Sequence, residues 1–460
     1  MKNNSKIYKY FIQENKRIKE LYKKFDQNKK NICLVVDKSK KFIGIVTPTD
    51  IRKGFINGLS LNSKISEVTN YQPLKIVGKI DDNKISDLVS KKNFNYINPP
   101  LIPFIKEDGT PYDLVEKDRI QIINNSKRPD KKIPKKILLI GGAGYIGSVL
   151  TKKLLLQNNE VNVFDSFIYL KKSNFEKIIN HKKLNCIKGD TRHVDKIFNA
   201  IKNCDAVVHL AEMVGDPLCE KNPQKTYVIN YIASITIASI CKNLGINKFI
   251  YVSSCSVYGS NQDNQPLNEN SNINPLSVYA KLKAICEKAI ITNSSQYYQP
   301  CILRLGTVYG NSLRPRYDLV VNLFSGQVAN NNEIQIEGGE QWRPFIHVED
   351  VCDVIIRILK LPKEKTNGQI FNVVGENIKI ANLAKLIKKN YLKAKVVIKT
   401  SQKDFRDYKV SSAKAKKMLK FQPKFNLNKG IKSMIQFTKA NKIKNIKLKK
   451  YINILNYNKF

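Results

Sequence analysis

From residue 137 onward, short apolar runs alternate with longer segments of helical period. Segments of helical length separate six such runs, at residues 137–140, 161–164, 185–188, 206–210, 248–252 and 301–303. Strands that alternate with helices predict a parallel, doubly wound α/β sheet. Because such sheets bind ligands at the carboxyl ends of their strands, we expect the functional residues just after these runs.

A different pattern precedes this region. Residues 32–55 contain two apolar runs around a polar turn, followed by a helical segment that opens after Thr47. The strand-turn-strand part recurs in residues 101–115, roughly 65 residues later. This repetition predicts a small α+β domain over residues 1–123, built from two copies of one unit.

A polar stretch with two prolines marks the domain boundary. Residues 124–136, NNSKRPDKKIPKK, predict a linker. The main domain is expected over residues 137–437, with a smaller C-terminal substrate-binding subdomain mainly within 305–437. Residues 438–460 form a basic tail, and its lysines are dense enough to predict a basic arm.

The composition favours a cytoplasmic protein without a membrane segment. With 42% apolar residues the chain can fill hydrophobic cores, yet no run approaches the roughly 20 apolar residues of a membrane helix. No apolar stretch follows the first charges, so we expect no signal peptide. The nine cysteines are scattered without CxxC pairs, which is typical of buried thiols in a reducing compartment, and we expect no metal site.

The net charge of +42 raises the alternative of nucleic-acid binding. Only 11 of the 80 basic residues are arginine, and the lysines are spread along the whole chain among many Asn and Ile residues. Nucleic-acid-binding proteins usually concentrate arginine and aromatic residues on one face. We therefore interpret the lysines as solvated surface residues of a compositionally biased chain, and expect no nucleic-acid partner.

The sequence GGAGYIG follows the first apolar run directly and opens a helix. Gly141 permits a tight turn, Gly144 lets the backbone approach a pyrophosphate, and Gly147 lets helix and strand pack closely. The helix N-terminus then offers N–H groups and a positive dipole to phosphates. Asp165 ends the second strand, where its carboxylate would bind the adenosine ribose and repel a 2′-phosphate. These residues predict a Rossmann-type site for NAD.

Tyr279 and Lys283 lie four residues apart, and therefore on one face of the helix after the fifth strand. The lysine ammonium is expected to lower the pKa of the phenol from its usual ~10. A phenolate can take the proton of a substrate hydroxyl while hydride leaves for the nicotinamide. Ser254, at the end of the fifth strand, would hydrogen-bond the same oxygen.

These residues belong to an ordered set of motifs that resembles the extended short-chain dehydrogenase/reductases. The resemblance covers about 300 residues and is to the nucleotide-sugar branch, which includes UDP-glucose 4-epimerase and the 4,6-dehydratases. The motifs that carry it are GGAGYIGS at 141–148, FD at 164–165, GDTR at 189–192, HLAE at 209–212, Asn230, SSCSVYG at 253–259, Tyr279 with Lys283, RLGTVYG at 304–310 and RPFIHVEDV at 343–351.

The resemblance implies a role for each matching residue. Tyr279 would be the catalytic base and Ser254 its partner, both in contact with the substrate, while Lys283 would hold the nicotinamide ribose. Asp190 would contact the adenine. The implied NAD-binding residues are Gly141, Gly144, Tyr145, Ile146, Gly147, Asp165, Asp190, Thr191, Leu210, Ala211, Asn230, Tyr279 and Lys283.

The substrate implied by the resemblance is a nucleoside-diphosphate sugar. Arg343 would bind its diphosphate, since a guanidinium fits phosphate oxygens as a bidentate fork. Arg316, and Arg314 beside it, are either further substrate contacts or solvated loop charges. The loop at residues 213–217 is expected to face the sugar.

Cys255 and Ser256 indicate which reaction is favoured. Family dehydratases carry an Asp-Glu pair at these positions, and a thiol and a hydroxyl are poor substitutes for it. The resemblance therefore favours epimerisation, by transient oxidation of one sugar hydroxyl, at C4, and return of hydride. A dehydratase, a ketosugar reductase or a decarboxylase of the same family are alternatives. A non-catalytic sensor of NAD and adenylates is an alternative from another class.

The N-terminal domain resembles a pair of CBS domains, on the sequence VVDKSKKFIGIVTPTDIRK. Thr47 and Asp50 match the T-x-x-D spacing that holds an adenine nucleotide, but Thr47 is equally expected as a plain helix N-cap. The second copy, around Tyr112, lacks this motif. The module is expected to regulate or assemble the enzyme, and the resemblance also suggests a homodimer or a higher homo-oligomer.

Overall fold

The computed structural model describes residues 7–28, 30–78, 84, 88, 101–116, 133–246, 248–261, 265–294, 298, 300–331, 333–399 and 406–459. The chain divides into two compact units, residues 1–130 and 131–460. Residues 124–132 of the predicted linker lie outside the described residues, as do residues 117–123 of the predicted first domain.

The first unit contains two three-stranded sheets of the same design. In each sheet, the first strand pairs in parallel with the second, and the second pairs with the third as an antiparallel hairpin. This shared order is the internal repeat that the sequence predicts. The elements are β1 Phe11–Gln13, β2 Cys33–Val36, β3 Phe42–Val46, β4 Ile76–Val77, β5 Leu101–Ile105 and β6 Pro111–Glu116, with α1 Ile18–Asn28 and α2 Pro48–Ile56.

A seven-stranded sheet organises the second unit. Its order is β16-β12-β11-β10-β7-β8-β9, and every neighbouring pair is parallel. The chain therefore starts in the middle of the sheet and winds outward in both directions, which confirms the predicted doubly wound fold. The strands are β7 Lys136–Ile140, β8 Glu160–Asp165, β9 Leu184–Lys188, β10 Ala206–His209, β11 Lys248–Ser254, β12 Pro300–Leu305 and β16 Gln369–Val373.

Helices cover both faces of this sheet. Ile137 and Leu139 lie in one buried cluster, whereas Leu138 and Ile140 lie in another on the opposite face. Burial on both faces explains why β7 is apolar throughout instead of alternating. The helices of the unit are α3 Tyr145–Leu156, α4 Lys172–Ile179, α5 Val194–Ile201, α6 Asp216–Lys221, α7 Pro223–Thr226, α8 Ala233–Asn243, α9 Val278–Thr292, α10 Val320–Asn331, α11 Val348–Lys360, α12 Ile380–Asn390, α13 Ala413–Leu419 and α14 Leu427–Ala440.

A smaller C-terminal part packs around its own core, formed by α10, α12, α14 and two short sheets. One sheet has the order β13-β15-β17 and the other pairs β14 with β18 in parallel. The strands are β13 Thr307–Tyr309, β14 Glu333–Glu337, β15 Trp342–His347, β17 Glu376–Lys379 and β18 Lys395–Lys399. None of the helices within the described residues has the length and apolar character needed to cross a membrane.

The predicted basic arm is instead folded against this unit. In the C-terminal segment, residues 443–459, Ile443, Ile446 and Tyr451 are buried together with Met434 and Tyr317, while the lysines between them stay exposed. The Tyr317 N–H donates to the Tyr451 carbonyl at 3.1 Å. The expectation of an arm was wrong because the few apolar side chains, and not the many lysines, decide where this segment lies.

All nine cysteines are buried and unpaired, as the sequence predicts.

Candidate functional site

A cavity of about 750 Å³ lies at the carboxyl ends of the central strands. The glycine-rich turn between β7 and α3 forms one wall. Gly141 has a φ of +89°, and a Cβ on Gly147 would lie 2.1 Å from the Gly141 carbonyl oxygen, so neither position accepts a side chain. Gly144 lines the cavity and caps α3, whose N-terminal N–H groups and dipole suit a dinucleotide's phosphates.

Two acidic residues line the same end of the cavity. The Asp165 carboxylate accepts backbone hydrogen bonds from Ala143 at 3.0 Å and from Phe167 at 2.8 Å. Burial raises the pKa of Asp165, and these N–H groups oppose that rise. Asp190 pairs with Arg192 at 2.6 Å, a hydrogen bond that lowers the pKa of Asp190. The residues present therefore fit NAD: the glycine-rich turn would hold its phosphates, and the Asp165 carboxylate lies beside that turn.

The structure brings twelve of the thirteen predicted NAD-binding residues to this cavity. The exception is Asn230, which is buried away from it. The Asn230 side chain accepts from the Met213 N–H at 2.9 Å and donates to the Met213 carbonyl at 2.8 Å. Its amide is thus used to anchor the loop after β10, which the sequence motif could not reveal.

Ser254, Tyr279 and Lys283 all line this cavity. Ser254 ends β11, and the other two project from the first turns of α9. The Lys283 ammonium donates to the Val252 carbonyl and lies 2.6 Å from the Glu212 carboxylate. Its nitrogen is 5.7 Å from the centre of the Tyr279 ring.

The pKa of Tyr279 moves opposite to the expectation. Burial is the largest cause, and it raises the pKa of Tyr279 well above 10, with Glu212, Cys219 and Asp216 acting in the same direction. The expected lowering by Lys283 is wrong for this site because burial of the phenol dominates, and the Glu212 carboxylate beside Lys283 adds to the rise. The phenol is therefore the dominant form at neutral pH.

Glu212 is a site residue that the sequence reasoning missed. Its side chain is 3% exposed, and its second oxygen accepts from the Tyr251 hydroxyl at 2.8 Å. Burial raises the pKa of Glu212, while Lys283 and Tyr251 oppose the rise. One feature of the sequence could have indicated it: Glu212 is an acidic residue three positions after the end of β10, at the ligand-binding edge of the sheet.

Four arginines line the cavity, at positions 314, 316, 343 and 406. Arg316 forms two hydrogen bonds to Asp318, at 3.0 and 2.9 Å. Arg406 pairs with Asp216 at 2.5 Å, which ties the loop at 213–217 to the C-terminal part. Arg343 donates to the carbonyls of Trp342 and Arg406. The alternative that Arg314 and Arg316 are solvated is wrong, because both are buried.

The C-terminal segment also reaches the cavity. Asn453 and Ile454 line it, and Asn453 accepts from the Arg314 guanidinium at 2.5 Å. The Asn453 amide donates to the Val214 carbonyl at 2.8 Å. No spacing in the sequence connects these residues.

In the first unit, Thr47 and Asp50 form a capping box at the start of α2. The Thr47 hydroxyl donates to the Asp50 carboxylate at 2.7 Å, and the Thr47 N–H donates to it at 2.9 Å. The N-cap interpretation is confirmed, and the nucleotide site stays a prediction.

Comparisons with known proteins agree with this architecture. Residues 137–374 match the sequence profile of the NAD dependent epimerase/dehydratase family, and residues 9–57 match that of the CBS domain. A putative UDP-glucose 4-epimerase of Methanocaldococcus jannaschii is 28% identical over 312 residues, which cover 66% of this chain and 99% of that protein. UDP-glucuronic acid decarboxylase 1 of Danio rerio is 27% identical over 320 residues, covering 67% and 73%.

A solved structure shows the same fold with ligands. The UDP-glucuronic acid 4-epimerase of Bacillus cereus, in complex with UDP-glucuronic acid and NAD, superposes with a TM-score of 0.60 at 26% identity. The superposition covers 66% of this chain and 99% of that one.

Proposed function

The chain belongs to the NAD-dependent epimerase/dehydratase family, and from this premise we propose that it epimerises a nucleotide-linked sugar by transient oxidation at C4. The observation that carries the proposal is that Ser254, Tyr279 and Lys283 line one cavity with the glycine-rich turn. A family member without catalytic activity would have no need for a tyrosine that can exchange a proton at this point, which disfavours the sensor alternative.

In the proposed mechanism, Tyr279 exchanges one proton with the sugar hydroxyl. The NAD held by the glycine-rich turn and Asp165 would supply the hydride acceptor and donor for both half-reactions. Tyr279 takes the hydroxyl proton in the first half-reaction and gives it back to the same oxygen in the second. Ser254 hydrogen-bonds that oxygen. Lys283 places a positive charge near the Tyr279 ring, which stabilises the phenolate. A phenol of raised pKa keeps its own proton and cannot accept another, so turnover should rise with pH as the phenolate forms.

Epimerisation is favoured over dehydration by the surroundings of Tyr279. The Cys255 thiol is buried and donates to the Arg304 carbonyl at 3.3 Å, whereas Ser256 lines the cavity. The two carboxylates that act on Tyr279, Glu212 and Asp216, are each held in an ion pair. Elimination of water would require a carboxylate able to exchange its proton with the sugar.

The arginines of the cavity support a diphosphate-linked substrate. Arg343 and Arg316 both line the cavity, and both side chains are buried. Guanidiniums bind the oxygens of a diphosphate as bidentate forks. The Bacillus cereus protein binds UDP-glucuronic acid, which makes a uridine diphosphate sugar the first substrate to test.

The decisive experiment incubates the full chain with UDP-, GDP-, CDP- and dTDP-sugars and follows the products by NMR. An epimer without net NADH formation supports the proposal. Release of CO₂, loss of water or stoichiometric NADH consumption would replace it with the decarboxylase, dehydratase or reductase alternative.

The catalytic base is tested with Tyr279→Phe. Turnover should fall by about 100- to 10,000-fold while NAD remains bound. Tyr227→Phe is the matched control, because Tyr227 is exposed and should retain full activity. Undiminished turnover in Tyr279→Phe contradicts the mechanism.

For the first unit we infer a regulatory site for an adenine nucleotide beside Thr47 and Asp50. Calorimetry on the full chain with ATP and AMP tests this inference, with Asp50→Ala as the variant expected to lose the heat of binding. No heat from the wild-type chain removes it.

A further inference from the structure

The C-terminal segment closes one side of the cavity. Its last short helix, Ile454–Lys459, packs against α6, and Ile454 joins the apolar cluster around Met213 and Leu218 on which Tyr279 also packs. The segment is held at its other end by Tyr451, whose ring meets that of Tyr317 edge-on at 5.4 Å. Residues 451–454 therefore lead from the buried Tyr451 to the cavity, which Asn453 and Ile454 line.

Asn453 links three parts of the chain at this point. Its side-chain oxygen accepts from Arg314, its amide donates to the Val214 carbonyl, and its backbone N–H donates to Asp318 at 3.2 Å. Asn453 thereby bridges the loop before α10 and the loop after β10. The Asn453 side chain therefore connects two loops that both line the cavity.

Arg314 is the cation that Asn453 holds. The Arg314 side chain is buried, and its guanidinium carbon stacks 3.7 Å from the centre of the Tyr169 ring. Within the described part of the chain its Nε has no hydrogen-bond acceptor, and it forms no ion pair. Burial and the neighbouring Arg316 lower the pKa of Arg314 to about 10, so it remains a cation at neutral pH.

The surroundings of Arg314 belong to the cofactor end of the cavity. Tyr169 follows β8 shortly after Asp165, and the Arg314 charge acts on both residues. It also acts on Tyr145, the first residue of α3. The Asp318 carboxylate pairs with Arg316, so the charge of Arg314 is left without an ion-pair partner among the described residues near the glycine-rich turn. A buried cation of this kind is stabilised by an anion.

We propose that the C-terminal segment retains bound NAD, with Asn453 as the positioning residue that holds the Arg314 guanidinium at the cofactor end of the cavity. The proposal depends on the NAD dependence of the family and not on the sugar or the reaction.

The test measures the rate at which NAD leaves the full chain. The protein is loaded with NAD, diluted into an NAD-consuming trap, and sampled for bound cofactor over time. Asn453→Ala should release NAD about tenfold faster or more, because the charge-assisted hydrogen bond that orients Arg314 is lost. Asn445→Ala is the matched control. Asn445 is exposed in the same segment, and its side-chain oxygen accepts from the Lys447 N–H. This variant should release NAD at the wild-type rate.

A double-mutant cycle separates positioning from general loosening. Arg314→Gln should also speed release, and combining it with Asn453→Ala should add little, because both act through one contact. Melting curves taken alongside verify that each variant is folded. Release of NAD from Asn453→Ala at the wild-type rate overturns the proposal, as does additivity in the cycle. Weakened binding of UDP with unchanged NAD release would assign the segment to the substrate and likewise overturn it.

Discussion

Replacing Glu212 by Gln should move the pH dependence of turnover toward lower pH. The substitution keeps the shape of the side chain and an acceptor for the Tyr251 hydroxyl, but it removes the negative charge beside Lys283. That charge opposes ionisation of Tyr279. Without it, the Lys283 ammonium is no longer compensated, so the phenolate becomes more stable and the pKa of Tyr279 falls.

The size of the shift follows from the geometry. Lys283 Nζ lies 2.6 Å from Glu212 and 5.7 Å from the Tyr279 ring centre, which puts the carboxylate within about 8 Å of the ring. At that distance, with an effective dielectric constant of about 20, a unit charge contributes about 2 kcal/mol. This energy corresponds to about 1.5 pKa units. The rising limb of turnover against pH should therefore shift down by about that amount.

The assay records NADH absorbance in single turnovers after addition of the sugar found by NMR, at a series of pH values. The shape of the profile is compared, since it does not depend on the fraction of active protein. Glu212→Asp keeps the charge and should retain the wild-type profile.

Glu287→Gln is the matched control. Glu287 lies on α9, the helix that carries Tyr279 and Lys283. Its side chain is as buried as that of Glu212, but it pairs with Arg304, at 2.7 Å, and not with Lys283. Both Gln variants leave a buried cation without its carboxylate, which costs about 3–5 kcal/mol of stability. Only Glu212→Gln should shift the profile. Identical profiles for Glu212→Gln and the wild type would refute the reasoning, and equal shifts in both Gln variants would assign the effect to lost stability.

Three further predictions concern other parts of the chain. Gly147→Ala should abolish NAD binding, measured by calorimetry, because its Cβ would meet the Gly141 carbonyl oxygen at 2.1 Å and force the turn apart; a bound cofactor in this variant would contradict the turn geometry. Thr47→Ala should destabilise the first unit by about 1 kcal/mol in urea unfolding, through loss of the α2 cap. Burial lowers the pKa of His209 to about 3, below its unfolded value of about 6.5, so stability should fall as the pH drops below 6.5. Between pH 7 and pH 5 the chain should lose about 2 kcal/mol of its free energy of unfolding through His209, and the His209→Gln variant should not lose this part. An equal loss in the variant would show that other groups cause it.

The sequence predicts the sheet and the glycine-rich turn because both depend on neighbours in the chain. The apolar runs, the spacing of Gly141 and Gly147, and the four-residue step from Tyr279 to Lys283 are all local. Each carries its structural context in a window of a few residues, and the structure has them where the pattern indicates.

The contacts that the sequence patterns do not predict join residues far apart in the chain, and none of these residues belongs to a recognisable motif. Asn453 meets Arg314 across 139 positions, and Arg406 meets Asp216 across 190. No periodicity relates such positions, because the folded backbone alone brings them together. The direction of the Tyr279 pKa was wrongly predicted for a similar reason. The sequence showed Lys283 beside Tyr279, whereas burial and the Glu212 carboxylate, from the loop after β10, follow from the folded chain. Local spacing predicts that Tyr279 and Lys283 lie together, and distant packing decides the pKa.

The closing role of residues 453 and 454 affects how truncated forms of this protein would behave. A chain synthesised as far as residue 440 already has the glycine-rich turn, Tyr279 and the whole central sheet. Such a fragment would lack Ile443, Ile446 and Tyr451, which cover Met434 and Tyr317, and its cavity would stay open on the side that Asn453 and Ile454 complete. If the segment retains NAD as proposed, a premature stop codon or a proteolytic cut in this stretch would lower the cofactor content even of molecules whose central sheet is intact. The amount of NAD bound per chain is therefore a better measure of whether the C-terminal segment is intact than the helix content of the protein.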